Sequence, residues 1–237
     1  MAGQFDVDFY HSLAATGKSA ARVKWYRTAI VALGALNYPE EIPKLYQLLL
    51  TSYIPEADQQ LETGKIRESL TKVCGIMGAA KTGSALRALA TATPSELMDS
   101  TYHREGDTSK EAIRRGRELF SQIYERIPGY DLSKTLEASP DYYHIVTELF
   151  YGHIFSFNGV LDGFETGHII VAALLGIDCH EQAHNHMLGM LIHGADREGL
   201  ESIRSIVVSL ANHYDVRFKN PPITIPDLSI SVSNICP

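Results

Sequence analysis

The chain has 237 residues, 45% of them hydrophobic, which is enough for one large domain or two small ones with a sizeable core and no need of cysteine staples. A net charge of −7 without any basic run gives no electrostatic footprint for nucleic acid or an anionic membrane, and neither partner is expected. Cys74, Cys179 and Cys236 are odd in number and widely spaced, so a disulfide framework is not expected and a reducing compartment is the default.

No stretch reaches the roughly 18 to 20 apolar residues that a bilayer span needs. Asp6 and Asp8 stand where a signal peptide would want a basic start and a mitochondrial presequence would avoid acids. A cytoplasmic location is therefore expected, with mitochondrial import kept as the alternative because of Arg22, Lys24 and Arg27.

From Ala20 to Leu50, apolar residues recur at helical spacing and break at Tyr38-Pro39, which predicts a helix, a turn and a helix. Gly64 to Thr91 continues in the same way until Thr93-Pro94. The polar stretch Ser95 to Ser109 has no period and reads as a connector; Thr108 or Ser109 then caps a helix over Lys110 to Tyr124. Ser139-Pro140-Asp141 opens the next helix, running through Ile145 and Leu149 to Ile154. Glu165 to Leu175 is apolar nearly all round, hence buried, and Gly176 is expected to end it in the left-handed conformation. Cys179 to Ile192 is the next helix, stopped by Gly194, and Asp196 caps a last one over Arg197 to Ala211. Pro221, Pro222 and Pro226 make the tail an extended arm.

Sliding Thr28 to Leu50 onto Gly167 to Gly189 superimposes the apolar runs and the breaks, which predicts a duplication. The expected organisation is an all-α chain with one helical half over 20–94, a connector with one helix over 95–139, a second half over 140–215 and an arm over 216–237.

Chemistry concentrates in the second half. Cys179, Gln182 and His186, at spacings of three and four, share one helical face. Cys179 sits at a helix start, where the dipole favours thiolate. His186, with a reference pKa near neutral, suits general acid or base work. Glu165 heads an apolar helix, where desolvation would raise its pKa and fit it to carry a proton; His168, one turn on, could pair with it and is a candidate substrate contact with Tyr143 and Phe157. Each also has a structural reading: a small buried cysteine, a hydrogen-bonded histidine, a carboxylate stabilising a helix N-terminus. Tyr142, Tyr143, Phe150, Tyr151, Phe155 and Phe157 either wall a pocket, with Tyr143 and Phe157 against the substrate, or pack as core. His180-Glu181-x-x-His184 is also a literal zinc-binding pattern, an alternative that would make His180 and His184 metal ligands.

The run from Glu165 through Cys179-His-Glu-Gln-Ala-His-Asn-His186 to His193-Gly-Ala-Asp196 resembles the carboxymuconolactone decarboxylase and alkylhydroperoxidase D-like family. The first half resembles it only in helical pattern, with Glu40, Pro43 and Gln47 in the places of Cys179, Gln182 and His186. The resemblance implies an all-helical, alkylhydroperoxidase D-like fold, a homo-oligomer and a small-molecule substrate. It implies an enzyme of either of two kinds. One performs cofactor-free decarboxylation, isomerisation or lactone opening, with His186 moving the proton, Glu165 relaying it, and Cys179 and Gln182 lining the pocket. The other is a thiol-dependent peroxidase attacking through Cys179, although Gln182 cannot resolve a sulfenic acid as a second cysteine would. A non-catalytic helical scaffold and a zinc hydrolase are the remaining alternatives.

Overall fold

The computed structural model describes residues 5–17, 23–127, 129–221 and 223–228. Among these residues the chain is all-helical, with no strand. In chain order the helices are α1 (Val7–Thr16), α2 (Trp25–Leu36), α3 (Ile42–Ser52), α4 (Gln59–Lys72), α5 (Cys74–Ala92), α6 (Ser109–Tyr124), α7 (Ser133–Ala138), α8 (Pro140–His144), a π-helix (Ile145–Phe155), α9 (Gly163–Gly176), α10 (His180–Ile192) and α11 (Arg197–His213). No helix among the described residues is long and apolar enough to cross a membrane.

Two helices form the centre. Every residue of α2 is buried, as is α9 from His168 to Gly176, because both are apolar around their whole circumference and can reach low free energy only when enclosed. They pack on each other closely: a Cβ on Gly176 would stand 2.6 Å from that of Ala35. α11 lies against both, presenting Leu200, Ile203, Ile206, Val207 and Leu210 at the spacing the sequence shows. α10 and α4 pack on α9, while α3 and α5 pair with each other.

The helix starts follow local chemistry. Thr108 accepts from the backbone N–H of Glu111, Ser139 from Tyr142 ahead of Pro140, and Asp196 from Gly199, each filling an orphan donor of a first turn. Gly194 takes φ 86° after α10, as expected. Gly176 does not turn left-handed; Asp178 does, at φ 59°, so α9 runs through the glycine and the reversal falls two residues later. The arm after α11 is bound along it: Arg197 donates to the carbonyls of Ile225 and Pro226, and Arg204 to that of Ile223. Cys236 lies outside the described residues.

The larger departure is at Ile145–Phe155. The sequence predicts an α-helix there, and the backbone instead winds as a π-helix of 11 residues, a form that recurs at functional sites. It packs along α6 at a crossing of two glycines, where a Cβ on Gly116 would meet the backbone nitrogen of Gly152 at 2.4 Å. The connector helix α6 is thereby a wall of the second half's interior.

Candidate functional site

α6, the end of the π-helix, α9 and α10 enclose a hollow of about 540 Å³, within the usual range for small-molecule sites. Leu119 and Ile123 come from α6, Phe155 and Phe157 from the end of the π-helix and the segment after it, Ile170 from α9, and Met190 from α10. Two small residues let the walls close up. Gly167 has Met190 against it, and a Cβ on Gly189 would stand 3.0 Å from the carbonyl oxygen of Ile123. A second groove, of about 550 Å³ along Leu50–Ile54 and Gln59, is more open to solvent and brings no histidine or cysteine together.

His186 lines the hollow and is 5% exposed. Desolvation pushes its pKa down to about 4, so the imidazole is neutral. Behind it stand two buried phenols. Tyr124 Oη lies 3.1 Å from His186 Nε2, and Tyr151 donates to Tyr124 at 3.0 Å. Burial raises the pKa of both tyrosines, most strongly that of Tyr151, and keeps them protonated. Thr166 is also buried in the lining, with no hydrogen-bond partner for its Oγ1. Arg115, also in the lining, holds Asp107 with both terminal nitrogens at 2.8 Å, which offsets its charge, while its buried Nε has no hydrogen-bond partner.

The other expected site residues fall elsewhere. Glu165 was expected to have a raised pKa, and burial does push it up. Hydrogen bonds from Lys65 and Arg27, both 2.6 Å from Oε1, and from the backbone N–H of Asp162 outweigh that and hold it at about 2. It is a fixed anion that closes a capping box with Asp162 at the start of α9, and its expected pairing with His168 is replaced by these cations. His168 is buried, and desolvation pushes its pKa down to about 4. Cys179 is the N-cap of α10 and half-buried, as is Gln182; neither is in the lining, so of that helical face only His186 reaches the hollow. Phe157 lines it; Tyr143, half-buried on α8, does not.

The zinc pattern is likewise taken apart. His180 Nε2 lies 2.9 Å from Asp178 Oδ1, and His184 is exposed. Among the described residues no three His, Cys, Asp or Glu side chains gather as metal ligands would.

Sequence reasoning missed Tyr124 as a partner of His186, and it missed Lys72. The Lys72 ammonium is fully buried and donates to the carbonyls of Phe155 and Phe157, pinning the strip that forms one wall. Desolvation lowers its pKa to about 7. A lysine ending a mixed-polarity helix gives no signal of this in the sequence.

The chain is similar to two proteins named Peroxisomal protein 2. That of Schizosaccharomyces pombe is 29% identical over 194 residues, covering 82% of this chain and 88% of the relative. That of Saccharomyces cerevisiae is 23% identical over 255 residues, covering 83% and 90%. No family model matches the chain, and no solved structure does. These findings overturn the resemblance to the carboxymuconolactone decarboxylase and alkylhydroperoxidase D-like family, and the lyase and peroxidase readings that came with it. They also replace the expected cytoplasmic or mitochondrial location, since both relatives are named as peroxisomal.

Proposed function

We propose that this chain is a peroxisomal protein that binds a small, largely apolar, uncharged molecule in the hollow between α6, the π-helix, α9 and α10. The observation that carries the binding role is the lining itself: apolar walls from Leu119, Ile123, Phe155, Phe157, Ile170 and Met190 with a neutral imidazole, an unpartnered threonine hydroxyl and an arginine whose charge Asp107 offsets. An ionic ligand would lose its hydration there without a counter-charge to replace it. The peroxisomal setting is supported by the names of two relatives that align over more than four-fifths of the chain.

A two-halved build accompanies this reading. α2, α3 and α4 correspond in order and spacing to α9, α10 and α11, and α2 packs on α11 as α9 packs on α4. In this arrangement the first half supplies support and the second half supplies the hollow.

The test has two arms. Cells expressing the full chain are fractionated, and the chain is expected to sediment with a peroxisomal marker; recovery in the cytosolic fraction would contradict the location. Purified protein is titrated with small aromatic ketones and hydrocarbons, and Ile170→Trp, which fills the hollow, is expected to abolish binding while the helical circular dichroism is retained. Unchanged binding in that variant would remove the hollow from the proposal.

A further inference from the structure

The hydrogen bonds behind His186 fix which of its nitrogens carries the proton. Tyr151 donates to Tyr124 Oη at 3.0 Å, so Tyr124 receives one proton and has its own to give. His186 Nε2, 3.1 Å from that oxygen, is the acceptor that keeps this buried proton from being left unpaired. A neutral imidazole that accepts at Nε2 carries its proton on Nδ1. Tyr151, its single proton given to Tyr124, has none left for Nε2 at 3.4 Å, and burial keeps both phenols protonated. His186 lines the hollow with its Nε2 edge committed to the tyrosines. The edge left for a ligand is Nδ1–H, a donor.

The rest of the lining narrows what that donor meets. Thr166, on α9 in the same lining, holds a buried hydroxyl without a partner. A polar atom left unpaired in a protein interior is costly unless something fills the need, which marks it as a contact for an absent guest. Arg115 gives both terminal nitrogens to Asp107, which offsets its charge, and its Nε is a second buried donor of the lining residues without a partner.

We infer that the hollow selects its ligand by an acceptor oxygen: an uncharged carbonyl compound of the ketone or ester class, whose oxygen accepts from His186 Nδ1–H and whose apolar body lies against Phe155, Phe157, Ile170 and Met190. This rests on the small-molecule reading above and goes further, because it assigns the head group and makes Tyr124 and Tyr151 positioning residues that set the tautomer without touching the ligand.

The probes are acetophenone and α-methylstyrene, which differ in having C=O or C=CH2 at one position on nearly the same shape. Ligand-observed NMR titrations of the full chain give both affinities, and ¹⁵N shifts of labelled histidine give the tautomer. The wild-type protein is expected to show His186 protonated at Nδ1. Tyr124→Phe, which removes the group that holds the tautomer, is expected to weaken acetophenone about fivefold or more, the scale of a buried acceptor losing its donor, while α-methylstyrene changes by less than about twofold. A wild-type Nε2–H tautomer overturns the inference, as does an equal change for both probes. If Tyr124→Phe fails to fold, the wild-type tautomer and the same pair of titrations on Tyr151→Phe decide. Binding of both probes with no dependence on Tyr124 or Tyr151 leaves the hollow as a binding site and removes the acceptor rule; binding of neither overturns both.

Discussion

Lys72 Nζ donates to the backbone carbonyl of Phe155 at 2.7 Å, joining the last turn of α4 to the last turn of the π-helix. The ammonium is fully buried, and its nearest carboxylate, Glu68, is occupied by Arg104 through two hydrogen bonds of 2.6 and 3.1 Å. Lys72→Met keeps the length of the side chain and leaves two carbonyls without their donor. The expected loss is about 2 kcal/mol in urea unfolding, with weaker ligand binding because Phe155 and Phe157 lose their anchor. Unchanged stability would show that the carbonyls find other partners.

The same residue carries a pH signature. Its pKa is about 7 in the folded protein against 10.5 in a free chain, so between these values the unfolded state binds more protons. Stability from this group therefore rises as pH increases from about 7 towards 10, by up to about 1.4 kcal/mol per pH unit. Unfolding midpoints at pH 7 and pH 9 are expected to separate wild type from Lys72→Met more widely at the higher pH. A constant separation would contradict the lowered pKa.

In acid the histidines dominate. His168 and His186 are both near pKa 4 when folded and 6.5 when unfolded, so the unfolded chain takes up protons first as the pH falls. Stability is expected to decline from about pH 6.5 down to 4. A second loss follows between 4.5 and about 2 as Glu165, held low by its cations, is finally protonated. Thermal melts of His168→Phe across this range are expected to show a shallower first decline than wild type; a melt profile that follows wild type would contradict the burial of a neutral His168.

Glu165→Gln removes the anion shared by Arg27 and Lys65 and leaves Arg27, 5% exposed, without its close partner. The expected cost is about 3 kcal/mol, as for breaking a buried pair from one side. Lys65→Met in the same chain is expected to recover part of it, since among the described residues Lys65 has no other carboxylate within 4 Å, whereas Arg27 keeps Glu62 at 3.7 Å. Failure of the double variant to regain any stability in chemical denaturation would show that the cost is not an unpaired charge, since glutamine can still close the capping box.

At the crossing of α6 and the π-helix, Gly116→Ala puts a methyl 2.4 Å from the backbone nitrogen of Gly152. Neither backbone can yield as a flexible side chain would, and overpacking of this kind costs about 1–3 kcal/mol or more. A fall in melting temperature is expected together with loss of ligand binding. Gly106→Ala, at a position with open space around it, is the control and is expected to be near neutral.

Helix capping is written within three residues of sequence, which is why Thr108, Ser139 and Asp196 could be assigned as caps without coordinates. Helical spacing put Cys179 and Gln182, which do not reach the hollow, on one face with His186, so only the helical face of His186 was legible. Its partners were not: Tyr124 and Tyr151 stand 62 and 35 residues away and read as ordinary core aromatics. Glu165 was misread because the cations that hold it ionised come from 138 and 100 residues earlier, on helices whose charges look solvated in one dimension. The family resemblance rested on an acidic residue opening a buried helix, a polar helix from Cys179 to His186 and the turn at His193 to Asp196, local features that do not by themselves specify one family. The π-helix left no trace, because i→i+5 winding depends on what packs against it and not on its own periodicity.

Through Glu165, the N-terminal half governs a cavity to which it contributes no wall. Arg27 and Lys65 grip the carboxylate that sets the start of α9, and the turn that follows brings Gly163, Thr166 and Gly167 to the cavity's edge. A buttress of this kind makes the two halves inseparable in practice: a fragment beginning after the connector would keep every lining residue on α9 and α10 and still lack the foundation that orients them.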